Sequence, residues 1–380
     1  MKIIIGGDVC PTGRNESLFC DSHATQSIQP FFEGFDFALI NLESPLIENP
    51  SPILKGGPVL GVSTMAVKGL SKMGINIVGL SNNHIMDHGA KGLCTTLSEL
   101  AKVGINAVGA GSNIEQAGQP LILRGKETDL AVLAFAEKEY SYATERRAGA
   151  CPLDIPLVVR KLRSLPDDIF SVILVHGGNE HYPYPNPWLQ DTCRLMVELG
   201  ANVVVCQHSH CIGSYEVFKG ALIVYGQGNL IFDLPSKHPT WWESILIQVE
   251  IKKSSIVNFQ FIPVIQDPGG CIFKMADNAD RDRILAKLEQ RSSILDDQNR
   301  LNQEWQKFCL SKRRDYQSIL FGYSRFLHIA NKLIGFADWL PRSRKMNIGN
   351  ILRCDAHLEV LKTIYSLDAT TSNKDKMKII

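Results

Sequence analysis

The stretch LGANVVVCQHSH (Leu199–His210) decides how the rest of the chain is read. Gly200 follows a helical run over Trp188–Leu199, where a residue without a Cβ suits a helix C-terminus. Ala201–Cys206 is then a continuous apolar run, as expected of a strand covered on both faces. Gln207-His208-Ser209-His210 comes next and places two imidazoles two residues apart. A buried strand that ends in a polar cluster points to an open α/β sheet, whose ligands bind outside the carboxyl ends of its strands.

The same pattern extends in both directions. Lys2–Gly6, Phe37–Asn41, Ile75–Leu80, Ala107–Gly109, Leu130–Phe135, Ile169–His176 and Ala221–Gly226 read as strands. Thr64–Met73 and Ala90–Val103 read as helices, closed by Gly74 and Gly104. Strand and helix alternating through short links predict an α/β layered fold. Ser244–Lys252 and Ile256–Val264 alternate apolar and polar residues and predict an antiparallel hairpin. Asp267-Pro-Gly-Gly270 breaks the pattern, and beyond it the chain is richer in Arg, Lys, Asp, Leu and Gln. Helical spacing there (Ile284, Leu285, Leu288) predicts a domain over 1–270 and a helical C-terminal extension over 271–380, with a frayed tail over Thr370–Lys378.

The chain has 380 residues, 44% hydrophobic and 21% charged, enough apolar material for a core without staples. Its 40 Lys+Arg against 39 Asp+Glu give a net charge of +1, which argues against a dedicated nucleic-acid binder. The ten cysteines are scattered without CxxC pairs and read as reduced thiols. The apolar run Ile3–Ile5 is too short for a signal-peptide core, and no run approaches a membrane span. A cytoplasmic location is therefore expected.

Nearly every polar cluster follows a predicted strand. In order they are Gly7-Asp8-Val9-Cys10-Pro11, Asn41-Leu42-Glu43, Ser81-Asn82-Asn83-His84 with Asp87, and His176-Gly177-Gly178-Asn179-Glu180. Gln207-His208-Ser209-His210 and Gly228-Asn229, with Asp233, complete the series. One Asp after a strand is commonly a turn residue or helix N-cap, and one interior His is commonly just hydrogen-bonded. The set weighs more. Carboxylates (Asp8, Glu43), an amide beside an imidazole (Asn83, His84) and three further histidines (His176, His208, His210) share one sheet edge. Mixed oxygen and nitrogen donors without thiolates suit two adjacent divalent cations.

The order Asp, acidic residue, Asn-His, His, His-x-His resembles the calcineurin-like metallophosphoesterase superfamily. More closely, the chain resembles the CapA-like capsule and poly-γ-glutamate synthesis family. The motifs are GGDVCP (Gly6–Pro11), INLESPL (Ile40–Leu46), SNNHIMDHGAKGL (Ser81–Leu93), GAGSNIEQA (Gly109–Ala117), VHGGNEHY (Val175–Tyr182), LGANVVVCQHSH and VYGQGNLIFD (Val224–Asp233). They cover about residues 1–265. The resemblance implies an α-β-β-α metallophosphoesterase-like core and one or two divalent ions (Mn, Fe or Zn). It implies Asp8 and His210 as ligands of a first metal, Glu43 as bridging ligand, and Asn83, His176 and His208 as ligands of a second. His84 takes the place of the general acid or phosphate-orienting group, with Asp87 orienting it or capping the next helix. Cys10 stands where many phosphoesterases carry His, so that ligand is lost or replaced by sulfur. Gln207 and Asn202 replace the usual Gly and Asp, and Gly177 follows His176 where Trp is usual. Asn41 and Glu180 are expected at the metals or behind their ligands, and Asn229 at the substrate-facing wall.

The resulting expectation is a metal-dependent hydrolase of capsule or exopolymer synthesis, acting on an anionic polymer, amide or phosphoester. The alternatives are a non-catalytic assembly partner with a degraded metal site and a general metallophosphodiesterase. Capsule or exopolymer synthesis proteins are the expected partners, with recruitment to the membrane through one of them. Trp241-Trp242 reads as core packing or a groove wall, and Tyr182–Pro187 as a stiff lid or connector. Lys312-Arg313-Arg314 and Arg146-Arg147 read as solvated faces or contacts to an anion.

Overall fold

In the first strand, Lys2–Cys10, Ile3 and Ile5 face one core and Ile4 faces another. That alternation sets the layers, because both faces of the strand are apolar and both must be covered. The computed structural model describes residues 1–20, 25, 26, 28–234, 236, 238, 240–266, 273–321 and 341–375. Within them two large sheets lie face to face.

In the first sheet the spatial order is Lys274–Met275, Ser255–Ile265, Glu243–Lys252, Lys2–Cys10, Phe37–Leu42, Ile77–Gly79 and Asn106–Val108. Asn229–Phe232 joins the end of the first strand in parallel. The second sheet runs Tyr215–Phe218, Ala221–Val224, Val203–Gln207, Phe170–His176, Leu130–Ala136 and Leu121–Leu123. In the first sheet Lys2–Cys10 and the strands from it to the Asn106–Val108 edge are parallel and the other edge is antiparallel; in the second sheet the four central strands are parallel and both edges antiparallel.

Between the sheets, Ile3, Ile5, Leu39 and Ile77 meet Val132, Val172, Val203 and Val205. On the outer face of the first sheet, Ile4, Ile40 and Val78 pack with helices Ala66–Met73 and Gly89–Lys102 through Leu70, Met73, Leu93 and Leu100. On the outer face of the second, Leu133, Ile173 and Val204 pack with helices Ile155–Arg163 and Pro187–Glu198. The layers are therefore α-β-β-α. The helix Ala66–Met73 ends at Gly74 with φ 85°, the left-handed cap that glycine adopts without a Cβ penalty.

The parallel strands end together. Asp8 pairs with Asn41 on one side and Asn229 on the other, and His176 pairs with Gln207. The ladder slips on both sides of Asp8. Gly7 sits in that irregularity, and a Cβ there would lie 2.2 Å from the Gly228 carbonyl. Only glycine lets the two backbones approach so closely, and the approach delivers Asp8 to the edge.

The helical extension shares the core. The break at 267–270 lies outside the described residues. Past it, Phe273 joins the outer core of the first sheet, and Ile284 and Leu288 from helix Asn278–Ser292 enter the core between the sheets. The charged composition suggested an appendage, but an apolar stripe at four-residue spacing is enough to seal that core. Helices Gln298–Phe321, Arg342–Arg353 and Asp355–Asp375 follow. Their cluster, with Trp305, Tyr316, Ile351, Val360 and Ile364, is built on Tyr182 of the main body. The last helix runs to Asp375, through the first part of the expected frayed tail. Among the described residues no helix is long and apolar enough to cross a membrane.

Candidate metal centre

Six side chains from five strand ends converge. Glu43, His176 and His208 have donor atoms within 4.8 Å of one another, and so do Asp8, Glu43 and His210. Glu43 belongs to both groups. His176 Nε2 lies 3.0 Å from Asn83 Oδ1, 3.1 Å from His208 Nδ1 and 3.5 Å from Glu43 Oε1. His210 Nε2 lies 3.9 Å from Glu43 Oε1, and its Nδ1 is 3.8 Å from Asp8 Oδ2. The turn that carries His208 and His210 is strained, with φ at 88° and 53°. Such backbone persists where the surroundings hold it, and here it delivers one ring to each of the two donor groups.

The donor set fits divalent cations on its own chemistry. Glu43 is fully buried, and neither carboxylate oxygen has a hydrogen-bond partner. Burial, and then the negative charge of Asp8, push its carboxyl well above the usual range. An orphaned buried carboxylate is costly unless a cation compensates it. Burial holds His176 well below its ordinary value and lowers His210 as well. The neutral imidazole so favoured is the form that ligates metal.

Supporting contacts fix these donors. Asn41 Nδ2 donates to Asp8 Oδ1 at 2.8 Å, and the His208 backbone N–H donates to Asp8 Oδ2 at 3.2 Å. Asn82 Nδ2 in turn donates to Asn41 Oδ1 at 3.2 Å. Asn229 is fully buried, and its Nδ2 donates to the Trp241 carbonyl. Its Oδ1 therefore accepts from His210 Nδ1 at 2.8 Å, leaving Nε2 with its lone pair toward Glu43. Asn229, expected at the substrate-facing wall, thus stands behind His210.

His84 is buried beside the donors. Its Nδ1 lies 2.6 Å from Asp87 Oδ2, and Asp87 Oδ1 accepts from Lys55 Nζ at 2.5 Å. Asp87 also accepts the Leu60 N–H at 2.7 Å. The helix after it starts at Gly89 with His88 at the cap position, so Asp87 is spent on His84 and Lys55. Burial lowers His84, and Asp87 acts against that.

Cys10 is fully buried among Leu60, Phe232 and Trp241. Burial and then Glu43 push its thiol up. A thiol held in this way must give up its proton before it can bind a metal. Gln207 is spent structurally, donating to the Gly6 carbonyl and to Gln227. Trp241 packs on His210 with ring centroids 4.9 Å apart. Tyr182, at the head of the Pro-rich loop, packs against Trp305 and Phe308, so the loop anchors the C-terminal helices. Arg147 stacks on Tyr142.

Residues 2–234 match the family described as "Bacterial capsule synthesis protein PGA_cap". The chain belongs to this family. The capsule biosynthesis protein CapA of Bacillus anthracis is 24% identical over 277 residues, 70% of this chain and 66% of that protein. The PGA biosynthesis protein CapA of Bacillus subtilis (strain 168) is 28% identical over 245 residues, 63% of this chain and 64% of that protein. The chain thus spans about two thirds of the length of these relatives. Among solved structures, the 5'-nucleotidase from Candida albicans SC5314 superposes with TM-score 0.42 at 10% identity, covering 76% of this chain and 57% of that one.

The part of the chain that matches the PGA_cap family ends at residue 234, yet the surroundings of the centre do not. A cleft of about 350 Å³ opens beside His208, Glu139 and Glu180. Its far wall comes from the last helices, through Lys312, Tyr316, Asn347, Asn350 and His357. Burial would raise Glu180, but His208, His210, His181 and His357 together bring it below the ordinary range. Glu139 Oε1 lies 3.7 Å from His208 Nε2. Behind it, the buried Glu137 accepts the Gly178 N–H, the Ala356 N–H and the Cys354 thiol. Sequence reading missed Glu137 and Glu139, although they follow a predicted strand as the other clusters do. Lys55 and His357 were missed with no such signal.

Proposed function

We propose that this PGA_cap-family chain is a metal-dependent hydrolase of capsule or exopolymer synthesis, acting on a phosphoester, an amide or an anionic polymer. The observation that supports it is Glu43, whose two unpartnered buried oxygens lie where two donor groups meet. Asp8, Glu43 and His210 would hold one ion, and Glu43, Asn83, His176 and His208 a second. When bound there, divalent ions would supply Lewis-acid polarisation of the scissile group and a water activated near neutral pH. Asp8 and Glu43 bring the negative charge that holds such ions, and the low-dielectric surroundings strengthen it. Asn41 and Asn229 keep Asp8 and His210 in place. His84 is positioned by Asp87 to donate a proton toward the leaving oxygen.

The test is metal analysis of the purified full chain, with hydrolysis assays on an aryl phosphodiester and an amide panel with added Mn²⁺. The expected result is near-stoichiometric Mn, Fe or Zn, reduced uptake in His208→Ala, and turnover that needs the metal. No metal in the protein, and identical uptake by the variant, would sink the proposal. Metal without turnover, together with copurifying synthesis enzymes, would favour a non-catalytic assembly partner.

Asp87→Asn leaves the proposed ligands in place but removes the charge that holds His84. The expected effect is a drop in kcat of about tenfold to a hundredfold with KM little changed, within the range carried by a positioned acid–base group. Steady-state kinetics on the same phosphodiester checks it. A fall in metal content instead would show that Asp87 supports binding rather than proton transfer.

A further inference from the structure

Glu139, Cys354 and His357 form a third convergent group, with donor atoms within 4.8 Å of one another. They come from the loop after strand Leu130–Ala136 and from the junction of the last two helices. None belongs to the set around Glu43. We propose that these three side chains bind a further divalent cation of the zinc class, which staples the C-terminal helices to the strand-end loop at the cleft wall. The proposal goes beyond the hydrolase reading and does not depend on it.

The donor chemistry sets the ion. Carboxylate, thiolate and imidazole together suit a borderline ion such as Zn²⁺, whereas the set around Glu43 has no sulfur. Each donor is already held. Glu139 Oε2 accepts from Asn350 Nδ2 at 3.3 Å, and His357 Nδ1 lies 2.6 Å from the Tyr316 hydroxyl. A phenol both donates and accepts, so it can orient the ring in either tautomer. Cys354 Sγ donates to Glu137 Oε2 at 2.8 Å. On binding, the sulfur–hydrogen bond breaks, a sulfur–metal bond forms, and the proton leaves to solvent, by way of that Glu137 oxygen when the carboxyl is ionised.

A second observation points to a ligand at the same place. Asn350 is 6% exposed and lines the cleft, and its Oδ1 is buried without a partner. An unmatched buried amide oxygen, on a side chain that contacts Glu139 and shares the cleft with His357, is the kind of group that would serve as a fourth ligand. The staple would fix a wall that Asn179, donating to the Ala356 carbonyl at 3.4 Å, and Tyr140, donating to Asn347 Oδ1 at 2.9 Å, already hold by hydrogen bonds.

The experiment is a Co²⁺ titration of the metal-stripped full chain, following thiolate-to-cobalt charge-transfer absorption in the near ultraviolet. The expected result is one equivalent of that band in the wild type. It should vanish in Cys354→Ser and need at least ten times more Co²⁺ in His357→Ala. It should persist in Cys10→Ser and in Glu43→Gln, which separates this site from the centre around Glu43. If Cys354→Ser does not fold, His357→Ala, at the cleft wall, decides. A wild type without the band, a band that survives in Cys354→Ser or is unchanged in His357→Ala, or one lost in Cys10→Ser or Glu43→Gln, overturns the assignment.

Discussion

Glu43→Gln is expected to remove both proposed ions at once and lower any metal-dependent turnover by about a thousandfold or more. The reason is its double membership: the same carboxylate stands in the group with His176 and His208 and in the group with Asp8 and His210. Lewis-acid stabilisation is worth several kcal/mol, and each ~1.4 kcal/mol is a factor of ten in rate. The substitution keeps the shape and removes the charge. It also has an opposite effect on the metal-free protein. Burial and Asp8 make the Glu43 carboxylate costly when no cation is near. The metal-free variant should therefore melt above the metal-free wild type. Added Mn²⁺ should then raise the wild type, by about 2.7 kcal/mol at a hundred times its Kd, and leave the variant unmoved. Thermal melts with and without Mn²⁺, run beside metal analysis, check both signs. Equal Mn²⁺ stabilisation of the two proteins would show that Glu43 is not a shared ligand.

The second large effect concerns Glu137 and pH. Burial pushes this carboxyl up to about 7 from 4.5, with the Cys354 thiol and the Gly178 N–H pulling the other way. A raised folded-state value means that the folded protein holds the proton more tightly than the unfolded chain. The stabilisation is fully present below about pH 4.5 and is lost as pH rises through about 7. The difference of roughly 2.5 pKa units corresponds to about 3 kcal/mol. Glu137→Gln mimics the neutral group and cannot titrate. Denaturant unfolding in EDTA from pH 5 to 8 should show the wild type losing most of this, about 2 to 3 kcal/mol, relative to the variant. Parallel curves would mean that Glu137 keeps its charge at the start of the last helix.

Much of the site was legible because the fold puts its chemistry at strand ends. The runs Ile169–His176 and Ala201–Cys206 are apolar throughout, so their polar successors stand out. Boundaries were less exact: Ile75–Leu80 was expected and Ile77–Gly79 is observed, since apolar residues flanking a strand pack without joining its ladder. Glu137 and Glu139 carry the same signal after Leu130–Ala136 and were passed over because no motif surrounds them. Asn229 shows a different limit. Its position at a strand end is visible in the sequence, but whether it faces a substrate or stands behind His210 depends on its partners Trp241 and His210. Lys55 lies in a loop without periodicity, and only the folded chain brings it to Asp87. The wall supplied by Tyr316, Asn350 and His357 was hidden for the same reason, because a charged helical segment reads as solvated until its packing on Tyr182 is known.

Side chains remote in sequence are proposed to grip divalent ions around one carboxylate. Anomalous scattering from crystals grown with Mn²⁺ tests this most directly. One or two peaks are expected in contact with Glu43, the first also touching Asp8 and His210, the second Asn83, His176 and His208. A map with no peak there, and these side chains turned toward ordinary water, would contradict it.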